Sequence, residues 1–412
     1  MLDINLIREK TDEIKQNLLK RTTEDKLDFV TILKLDDERK DLIGKADKLK
    51  TERNKHSKTK PTPEIIEQMK KIGEDIKSFD EKLKKVETKL KETLAELPNI
   101  VSDDVVAGGK ENNKVVKTFG DKPEFSFKPK DHVELATELG LIDYERGAKM
   151  SGSGFWVYKG DGALLEWALL NYFVDFHKKN NYTFILPPYL LSEESAYTSG
   201  HLPKFRDDLY WTQDKLCLNA TSEMMLGNYH RDEILDGTEL PLKYYAYSPC
   251  FRREAGSYRK EERGMIRGHQ FNKIEMFQFV KAEDSWEAFA ELLANAEKLV
   301  EGLGLHYQTA QLAAGDCSAA MAKTNDIEVW IPSMEIYKEV SSVSNALDYQ
   351  ARRGNVKYKD EDGKKQFVHT LNASGLATSR LIPAILEQFQ QEDGGVVVPE
   401  VLRGWVGKDI LK

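Results

Sequence analysis

The sequence has few cysteines, and none of them is arranged as a pair. Cys217, Cys250 and Cys317 are the only three in 412 residues, and no CxxC motif occurs. This spacing argues against a disulfide framework and a cysteine-based zinc site, and it predicts a reducing compartment, the cytoplasm. No run reaches about 18 apolar residues, so no membrane-spanning helix is expected. The N-terminus, MLDINLIREK, lacks the apolar core of a signal peptide.

Several familiar catalytic motifs are also missing. The chain contains no GxGxxG or P-loop motif, no HExxH and no GxSxG elbow. A phosphate ligand would therefore be held by arginines, and two positions suit this role. Arg252 precedes a highly charged segment, and Arg380 lies where the small-residue turn LNASGLATSR enters a helix. Because helix starts favour anions, an arginine there fits best beside a bound anion, although a solvent-facing arginine is the simpler alternative.

The composition is that of a globular protein with an unusually polar part. Hydrophobic residues make up 40% and charged residues 32% of the chain, with a formal net charge of −8. Its length favours two domains rather than one core. A contact with nucleic acid would have to use a local basic patch.

The first hundred residues predict a helical hairpin, the arm. From Ile65 to Leu97 apolar residues recur at alternating steps of four and three, as in a coiled-coil seam. A shorter compatible seam lies upstream, and Pro61 and Pro63 would separate the two helices. We therefore expect two antiparallel helices between Asp28 and Leu97, in a domain covering residues 1–100.

The predicted tip of the arm is basic. Between Lys45 and Lys60 seven basic side chains face two acidic ones, a local charge of +5. The basic residues are Lys45, Lys48, Lys50, Arg53, Lys55, Lys58 and Lys60. Such an arm suits a clamp for a nucleic-acid backbone. A solvated coiled coil that only dimerises is the open alternative.

The remainder predicts an α+β domain. Residues 101–131 are rich in Gly, Asn and Asp and are interpreted as a linker. From residue 132 to 412, strand-like and helix-like segments alternate irregularly, with helices expected at Ala163–His177, from Ser285, and last in LATSRLIPAILEQFQ. Long insertions between strands favour an antiparallel sheet flanked by helices over regular βαβ repeats.

The segment Phe251–Phe279 predicts a charged hairpin that binds a ligand. Arg252 and Glu254, two apart on an extended strand, would point to one face. Arginine suits phosphate because its planar fork donates paired hydrogen bonds, and Phe271 offers a flat ring for a base. Glu275 is a single acid in the apolar return strand. Alone, the segment is more typical of a surface hairpin with solvated charges.

Two further segments carry weaker signals. In EVSSVSN, Glu339 and Ser341 alternate onto one strand face, and Ser342 takes the other unless the strand bends. Carboxylate and hydroxyl oxygens suit Mg²⁺, although a serine-rich edge strand is the plainer interpretation. In LNATSEMM, Thr221 and Glu223 would share a face at a strand end and could hold a small cationic, hydroxylated ligand.

Taken together, these segments resemble the three signature motifs of class II aminoacyl-tRNA synthetases. The helix Ala163–His177 running into ILPPYL resembles motif 1, FRREAG…RGMIRGHQF motif 2, and LNASGLATSRLIPAILE motif 3. The arm ending in LPNI, together with HLPKF, EVSSVSN, DYQARR and VPEVLRGWVG, is similar to the seryl-tRNA synthetase family. The resemblance covers essentially the whole chain.

The resemblance implies a reaction. L-Serine and ATP would form seryl-adenylate and pyrophosphate, and the seryl group would pass to the 3′ end of tRNA(Ser), and possibly of tRNA(Sec). It implies a homodimer joined through motif 1, with tRNA bound across subunits by the arm, and no membrane association. A paralogue acting on a carrier protein or in antibiotic resistance, and a non-catalytic tRNA-binding paralogue, are the alternatives.

The resemblance also assigns roles to individual residues. Arg252 would grip the α-phosphate and Arg380 the γ-phosphate, and these two and Glu339 would form the catalytic set. The ATP-binding set implied in this way is Arg252, Glu254, Arg267, Phe271, Glu339, Val340, Ser341, Ser342 and Arg380. Glu254 and Phe271 would orient and stack the adenine, and Glu339 and Ser342 would bind Mg²⁺. The serine-binding set is Thr221, Ser222, Glu223, Glu275 and Ser374.

Overall fold

The computed structural model describes residues 1–56, 62–255 and 264–412. Within them the chain divides into two units, Met1–Ile100 and Val101–Lys412. The first unit consists of helices α1 (Ile4–Glu9), α2 (Thr11–Leu18), α3 (Phe29–His56) and α4 (Pro63–Glu96). Among the described residues no helix is both long enough and apolar enough to cross a membrane.

The predicted coiled-coil arm is confirmed by α3 and α4. On α4, residues of the four-three seam such as Ile72, Ile76 and Val86 are buried. Thr62 caps this helix by accepting a hydrogen bond from the Ile65 amide, and Pro63 occupies its first turn, where a missing N–H costs nothing. Glu52, near the end of α3, accepts a hydrogen bond of 3.2 Å from Gln68, near the start of α4, so the helices are antiparallel.

The second unit contains nine helices and seventeen strands within the described residues. The helices are α5 (His132–Glu138), α6 (Tyr144–Ser151), α7 (Asp161–Lys179), α8 (Glu193–Thr198), α9 (Glu223–Leu226), α10 (Ser285–Gly302), α11 (Tyr349–Gly354), α12 (Thr378–Gln388) and α13 (Glu400–Val406). The strands are β1 (Lys114–Phe119), β2 (Ile142–Asp143), β3 (Val157–Tyr158), β4 (Thr183–Ile185), β5 (Leu190–Leu191), β6 (Cys217–Leu218), β7 (Ile234–Asp236), β8 (Leu242–Phe251), β9 (Gln270–Val280), β10 (Tyr307–Gln311), β11 (Lys323–Ile331), β12 (Ile336–Leu347), β13 (Lys357–Lys359), β14 (Lys365–Phe367), β15 (His369–Ala377), β16 (Val396–Val397) and β17 (Ile410–Leu411).

The predicted antiparallel sheet is confirmed. Eight strands lie in the order β1-β10-β11-β12-β15-β9-β8-β4, and only the last pair, β8 with β4, is parallel. Side chains alternate between its two faces. On one face, residues such as Val343 and Ile274 join the core formed with α7, α10 and α12. On the other face of β12, Ser342 and Ser344 line an open cavity. The sheet thus supplies a polar floor backed by a helical layer.

Two local expectations are corrected by the fold. Within residues 101–131, interpreted as a linker, β1 pairs with β10 at the edge of the large sheet. Most β1 side chains are exposed, so the strand shows no apolar alternation by which the sequence could reveal it. The helix in LATSRLIPAILEQFQ is α12, but it is not the last one, since the short α13 follows it.

Candidate active site

A cavity of about 1050 Å³ lies on the polar face of the sheet, and five residues of the predicted site line it. Its lining includes Glu223, Arg267, Glu339, Ser342 and Arg380. A second cavity, of about 580 Å³, is lined by Arg252, Glu254 and Arg267, among others. Arg267, His201 and Phe205 line both, so the two cavities adjoin. Together they bring the predicted phosphate, base and amino-acid residues to one region.

Arg252 lies directly over the ring of Phe271. Its guanidinium carbon is 5.2 Å from the ring centroid, and its Nε donates to the Ala220 carbonyl at 3.3 Å. The backbone amide of Arg252 donates to the carbonyl of His269, which continues the β8–β9 pairing by one step. The two strands therefore present an arginine and an aromatic ring side by side, and the contact between them is a finding of the structure.

Glu254 does not share an extended strand with Arg252. The strand β8 ends at Phe251, and Glu254 has a left-handed backbone with φ of 52°. Its carboxylate forms an ion pair with Arg267. The expected common strand face is thus wrong, and the left-handed turn, rather than strand alternation, directs this carboxylate. Residues 256–263 of the predicted charged segment lie outside the described residues.

Arg380 lies in the first turn of α12 and faces the site rather than solvent. It donates from Nε to the Ile266 carbonyl at 3.2 Å and from Nη1 to the Glu339 carbonyl at 2.7 Å. The same nitrogen lies 3.6 Å from the Glu339 carboxylate. Arg380 is therefore fixed between the hairpin return and β12, and its charge is available at the start of a helix, where an anion is favoured.

Glu339 and Ser342 lie on the same face because β12 carries a bulge. Ser341 pairs with Ile327, but Glu339 pairs with the next residue of β11, Glu328, so Val340 is the extra residue. Ser342 Oγ is consequently 3.4 Å from Glu339 Oε1. The bend that the sequence left open is thus present.

A further carboxylate joins this pair. Ser342 also donates to Asp326 of β11, which is buried. Burial first, and the nearby Glu339 second, hold the pKa of Asp326 well above its usual range. Two carboxylates and a hydroxyl are hard oxygen donors of the kind that Mg²⁺ accepts together with phosphates. No group of three or more His, Cys, Asp or Glu with metal-ligand geometry occurs in the described part of the chain.

Val340 and Ser341 are not brought to the cavity by their side chains. Val340 is part of the hydrophobic core. Ser341 is fully buried and donates to the Ser374 carbonyl at 2.6 Å. Ser222 is also fully buried and hydrogen-bonds Ser248 at 2.7 Å. These three residues support the site from beneath.

Thr221, Glu223 and Glu275 meet in a buried polar cluster around Lys273. Lys273 forms an ion pair with Glu275 and donates to Thr221 Oγ1 at 2.7 Å. Glu223 is the first residue of the short helix α9, so the expectation of a strand end with a shared face is wrong here. A helical turn, not strand alternation, brings the two residues together. Ser374 faces Glu275 directly across the β15–β9 pair.

One carboxyl of this cluster, that of Glu223, has a raised pKa. Burial and the neighbouring Glu275 raise the pKa of Glu223 to about 7. Gln350 donates to Glu223 Oε1 at 2.7 Å, and Asn372 donates to Glu275 Oε1 at 3.2 Å. A cationic group bound here would be drawn to Glu223, whose charge the protein leaves incompletely balanced.

Four residues of the site were not predicted: Lys273, Asp326, Gln350 and Asn372. Each is a polar residue within a strand or short helix whose pattern is otherwise that of a core element. The unusual presence of Lys273 two residues before Glu275 in an apolar run was the one available signal, since buried charges occur in pairs.

In the arm, the predicted basic residues lie on α3. Lys45, Lys48, Arg53 and Lys55 are exposed. Lys45 forms an ion pair with Asp41, and the half-buried Lys50 forms one with Asp80. The predictions for Lys58 and Lys60 fall outside the described residues.

Family models match both units. The model described as "Seryl-tRNA synthetase N-terminal domain" matches residues 1–101. The model described as "tRNA synthetase class II core domain (G, H, P, S and T)" matches residues 204–389, which include the cavity residues of β11, β12 and α12.

Full-length relatives agree with the family models. The chain is 56% identical to serine–tRNA ligase 2 of Clostridium acetobutylicum and 47% identical to serine–tRNA ligase of Bacillus subtilis, with 100% of each chain covered in both cases. Among solved structures, it is similar to the seryl-tRNA synthetase of Pyrococcus horikoshii complexed with ATP, with a TM-score of 0.92 and 35% identity over 100% of this chain and 99% of the other. The cytoplasmic serine–tRNA ligase of Naegleria fowleri, in complex with AMP, gives a TM-score of 0.87 at 33% identity over the same shares.

Proposed function

The chain belongs to the seryl-tRNA synthetase family, and from this premise we propose that it is a serine–tRNA ligase that activates L-serine with ATP and transfers it to tRNA(Ser). Full-length identity to curated serine–tRNA ligases carries this proposal. The cytoplasm is the proposed place of action, because tRNA, ATP and serine meet there.

In the first step the serine carboxylate attacks the α-phosphorus of ATP, and pyrophosphate leaves. Arg252 donates to the α-phosphate, where negative charge increases, and Arg380 holds the γ-phosphate. The adenine stacks on Phe271 and is oriented by Glu254. No protein nucleophile takes part, so the residues act by positioning and by stabilising phosphoryl charge. The stacking of Arg252 on Phe271 and the fixed position of Arg380 support these roles.

Serine would bind in the cluster around Lys273. Glu223 and Thr221 receive the ammonium group, and Glu275 and Ser374 meet the side-chain hydroxyl. Their burial gives the site its selectivity, because alanine would leave polar groups unpaired at a cost of roughly 10⁴-fold in specificity. In the second step a ribose hydroxyl of the terminal adenosine attacks the seryl carbonyl, and AMP leaves.

Glu339 and Ser342, with Asp326 beside them, would hold Mg²⁺ against the phosphates. Their donor chemistry fits the ion, and a cation would stabilise the charged form of Asp326, whose pKa is raised by burial and by the nearby Glu339. When bound, Mg²⁺ neutralises phosphate charge. The residues themselves fix the position of Arg380, since the Glu339 carbonyl accepts its hydrogen bond.

The test of the first step is ATP–pyrophosphate exchange, measured with each standard amino acid in turn, and exchange is expected with serine. Arg252→Ala is expected to abolish exchange while leaving the fold intact. Arg253→Ala is the matched control. Arg253 is exposed, and within the described residues its side chain donates one hydrogen bond, to the Asp207 carbonyl. No exchange with serine in the wild-type protein would refute the proposal, and exchange without charging of total tRNA would favour a carrier-protein paralogue.

The exposed basic residues of α3 are the proposed contact with the tRNA backbone. Replacing Lys48, Arg53 and Lys55 with glutamine should weaken tRNA charging and spare pyrophosphate exchange. It should also lower the slope of log affinity against log salt by about 0.7–0.9 per lost contact. Lys84, Lys85 and Lys89, exposed on α4, form a charge-matched control triple. If both triple variants weakened tRNA charging equally, net charge rather than the position of the α3 residues would determine tRNA binding, and the proposed contact would be wrong.

A homodimer is proposed through the apolar surface around α7, with tRNA bound across subunits. Its exposed apolar side chains are Leu164, Trp167, Phe184, Leu186 and Leu190. An exposed group of this kind is typical of an interface. Trp167→Asp should convert the dimer to a monomer in light scattering after size exclusion, whereas Trp286→Asp, at a comparably exposed tryptophan on α10, should not. A monomeric wild-type protein would refute the dimer.

A further inference from the structure

Glu166 is a buried carboxyl outside both cavities that joins three parts of the site. It lies on α7, and its Oε1 accepts hydrogen bonds from Asn272 Nδ2 and Thr378 Oγ1, both at 2.7 Å. Asn272 follows Phe271 on β9, and Thr378 begins α12, two residues before Arg380. One oxygen atom of Glu166 thus connects Asn272, next to the ring proposed to stack on adenine, with Thr378, near the arginine proposed to bind the γ-phosphate.

Strand pairing does not fix this junction by itself. The β15–β9 register is regular as far as Ser374 opposite Glu275, and then shifts before Ala377 pairs with Lys273. Immediately afterwards the chain leaves the sheet as α12. Since the ladder is irregular and ends here, side-chain hydrogen bonds constrain β9 and the start of α12, namely the two accepted by Glu166 and one of 3.2 Å from Thr378 Oγ1 to the Asn272 carbonyl.

We propose that Glu166 is a positioning residue for ATP, which fixes the distance between the Phe271 ring and the Arg380 guanidinium. The inference rests on the proposed ATP-dependent activation of serine. Glu166 does not contact the substrate in this assignment. It acts through Asn272 and Thr378, whose positions decide whether the base and the γ-phosphate can be held at the same time.

Burial disfavours the ionised form of the Glu166 carboxyl, whereas the two hydrogen bonds that it accepts favour this form. Burial raises the pKa of the Glu166 carboxyl to about 7. Its second oxygen, Oε2, is buried without a hydrogen-bond partner among the described residues, and so is the hydroxyl of Tyr158. The titratable groups that face Glu166 are Tyr158 of β3 and Tyr247 of β8. Burial raises the pKa of both phenols, so neither ionises near neutral pH.

The experiment measures binding of AMPPNP, a non-hydrolysable ATP analogue, with Mg²⁺ by calorimetry in the full-length protein. Glu166→Ala should weaken this binding about tenfold, as expected for two lost hydrogen bonds, and should leave the KM for serine within about twofold of wild type. Glu166→Gln, which retains the accepting oxygen, should bind as wild type at pH 7. Asp175→Ala is the control, because Asp175 is a more exposed carboxylate on the same helix that pairs with Lys179.

The pH profile separates positioning from a general structural role. As pH rises from 6 to 8 and Glu166 loses its proton, AMPPNP binding should strengthen in the wild type, because a carboxylate accepts hydrogen bonds more strongly than a carboxylic acid, whereas Glu166→Gln should show no such change. A glutamine variant that follows the wild-type profile, or an alanine variant that binds AMPPNP normally or loses serine and AMPPNP affinity equally, would overturn the proposal. Wild-type protein that binds AMPPNP but shows no serine-dependent exchange would instead refute the proposed function.

Discussion

Replacing Lys273 with methionine should destabilise the second unit far more than replacing an exposed lysine. Lys273 is 5% exposed and Glu275 is 1% exposed, and they form an ion pair. Without the ammonium group, the side-chain hydrogen bonds that Glu275 keeps within the described part of the chain are those from Thr221 at 3.3 Å and Asn372 at 3.2 Å. Removing one partner of a buried pair costs about 3–5 kcal/mol, because the other charge remains out of water.

The control is an ion pair on the neighbouring strand. Lys243 of β8 pairs with Glu291 at 2.7 Å, but 44% of the Glu291 side chain is exposed. Lys243→Met should therefore cost only about 0.2–1 kcal/mol. The double variant Lys273→Met/Glu275→Gln removes the unpaired charge and should recover part of the loss, which a double-mutant cycle measures.

Urea unfolding followed by tryptophan fluorescence is the appropriate assay. All six tryptophans lie in Val101–Lys412, so the signal reports the second unit alone. The free energies of unfolding of the single and double variants are compared with that of the wild type. A loss for Lys273→Met no larger than that for Lys243→Met would refute the assignment of Lys273 as the buried counter-charge of the amino-acid site.

Three further outcomes follow from the geometry. Because the pKa of Glu223 is raised to about 7, its carboxylate forms as pH rises from 6 to 8, and the KM for serine should fall over this range, whereas in Glu223→Gln it should be higher and independent of pH. Asp326→Asn should raise the Mg²⁺ concentration for half-maximal exchange, since one of two carboxylates is lost, and an unchanged Mg²⁺ titration would contradict the assignment. Asp131 caps α5 by accepting from the amides of Val133 and Glu134, so Asp131→Ala should cost about 1 kcal/mol in unfolding without changing the KM for ATP or serine.

The parts of the fold that the sequence predicts are those with a long periodic signal. The seam of α4 repeats over many turns, and a buried face such as that containing Ile72 and Ile76 leaves a readable pattern. The edge strand β1 leaves no such pattern, because its side chains are mostly exposed and only its backbone joins the sheet. Backbone pairing at an edge has no side-chain signature.

The site follows the same division. Residues in distinctive segments, such as Arg252 and Arg380, were predicted, and both lie at the cavities. What could not be predicted depends on exceptions to strand periodicity. Glu254 is directed by a left-handed turn, and Lys273 is stabilised by a partner that only the folded pair of strands supplies. Local sequence does not specify such tertiary pairings.

The bulge at Val340 lets Glu339 and Ser342, which are three positions apart in β12, share the face proposed to bind Mg²⁺. Substituting Val340 with another apolar residue of similar size would leave the count intact, so Glu339 and Ser342 would stay together. Deleting it would restore strict alternation with Glu339 and Ser342 two residues apart, so they would again share a face. Along this strand, the proposed Mg²⁺ site therefore depends on the bulge and not on the side chain of Val340, because β12 of the same length in regular register would turn Glu339 to the face opposite Ser342.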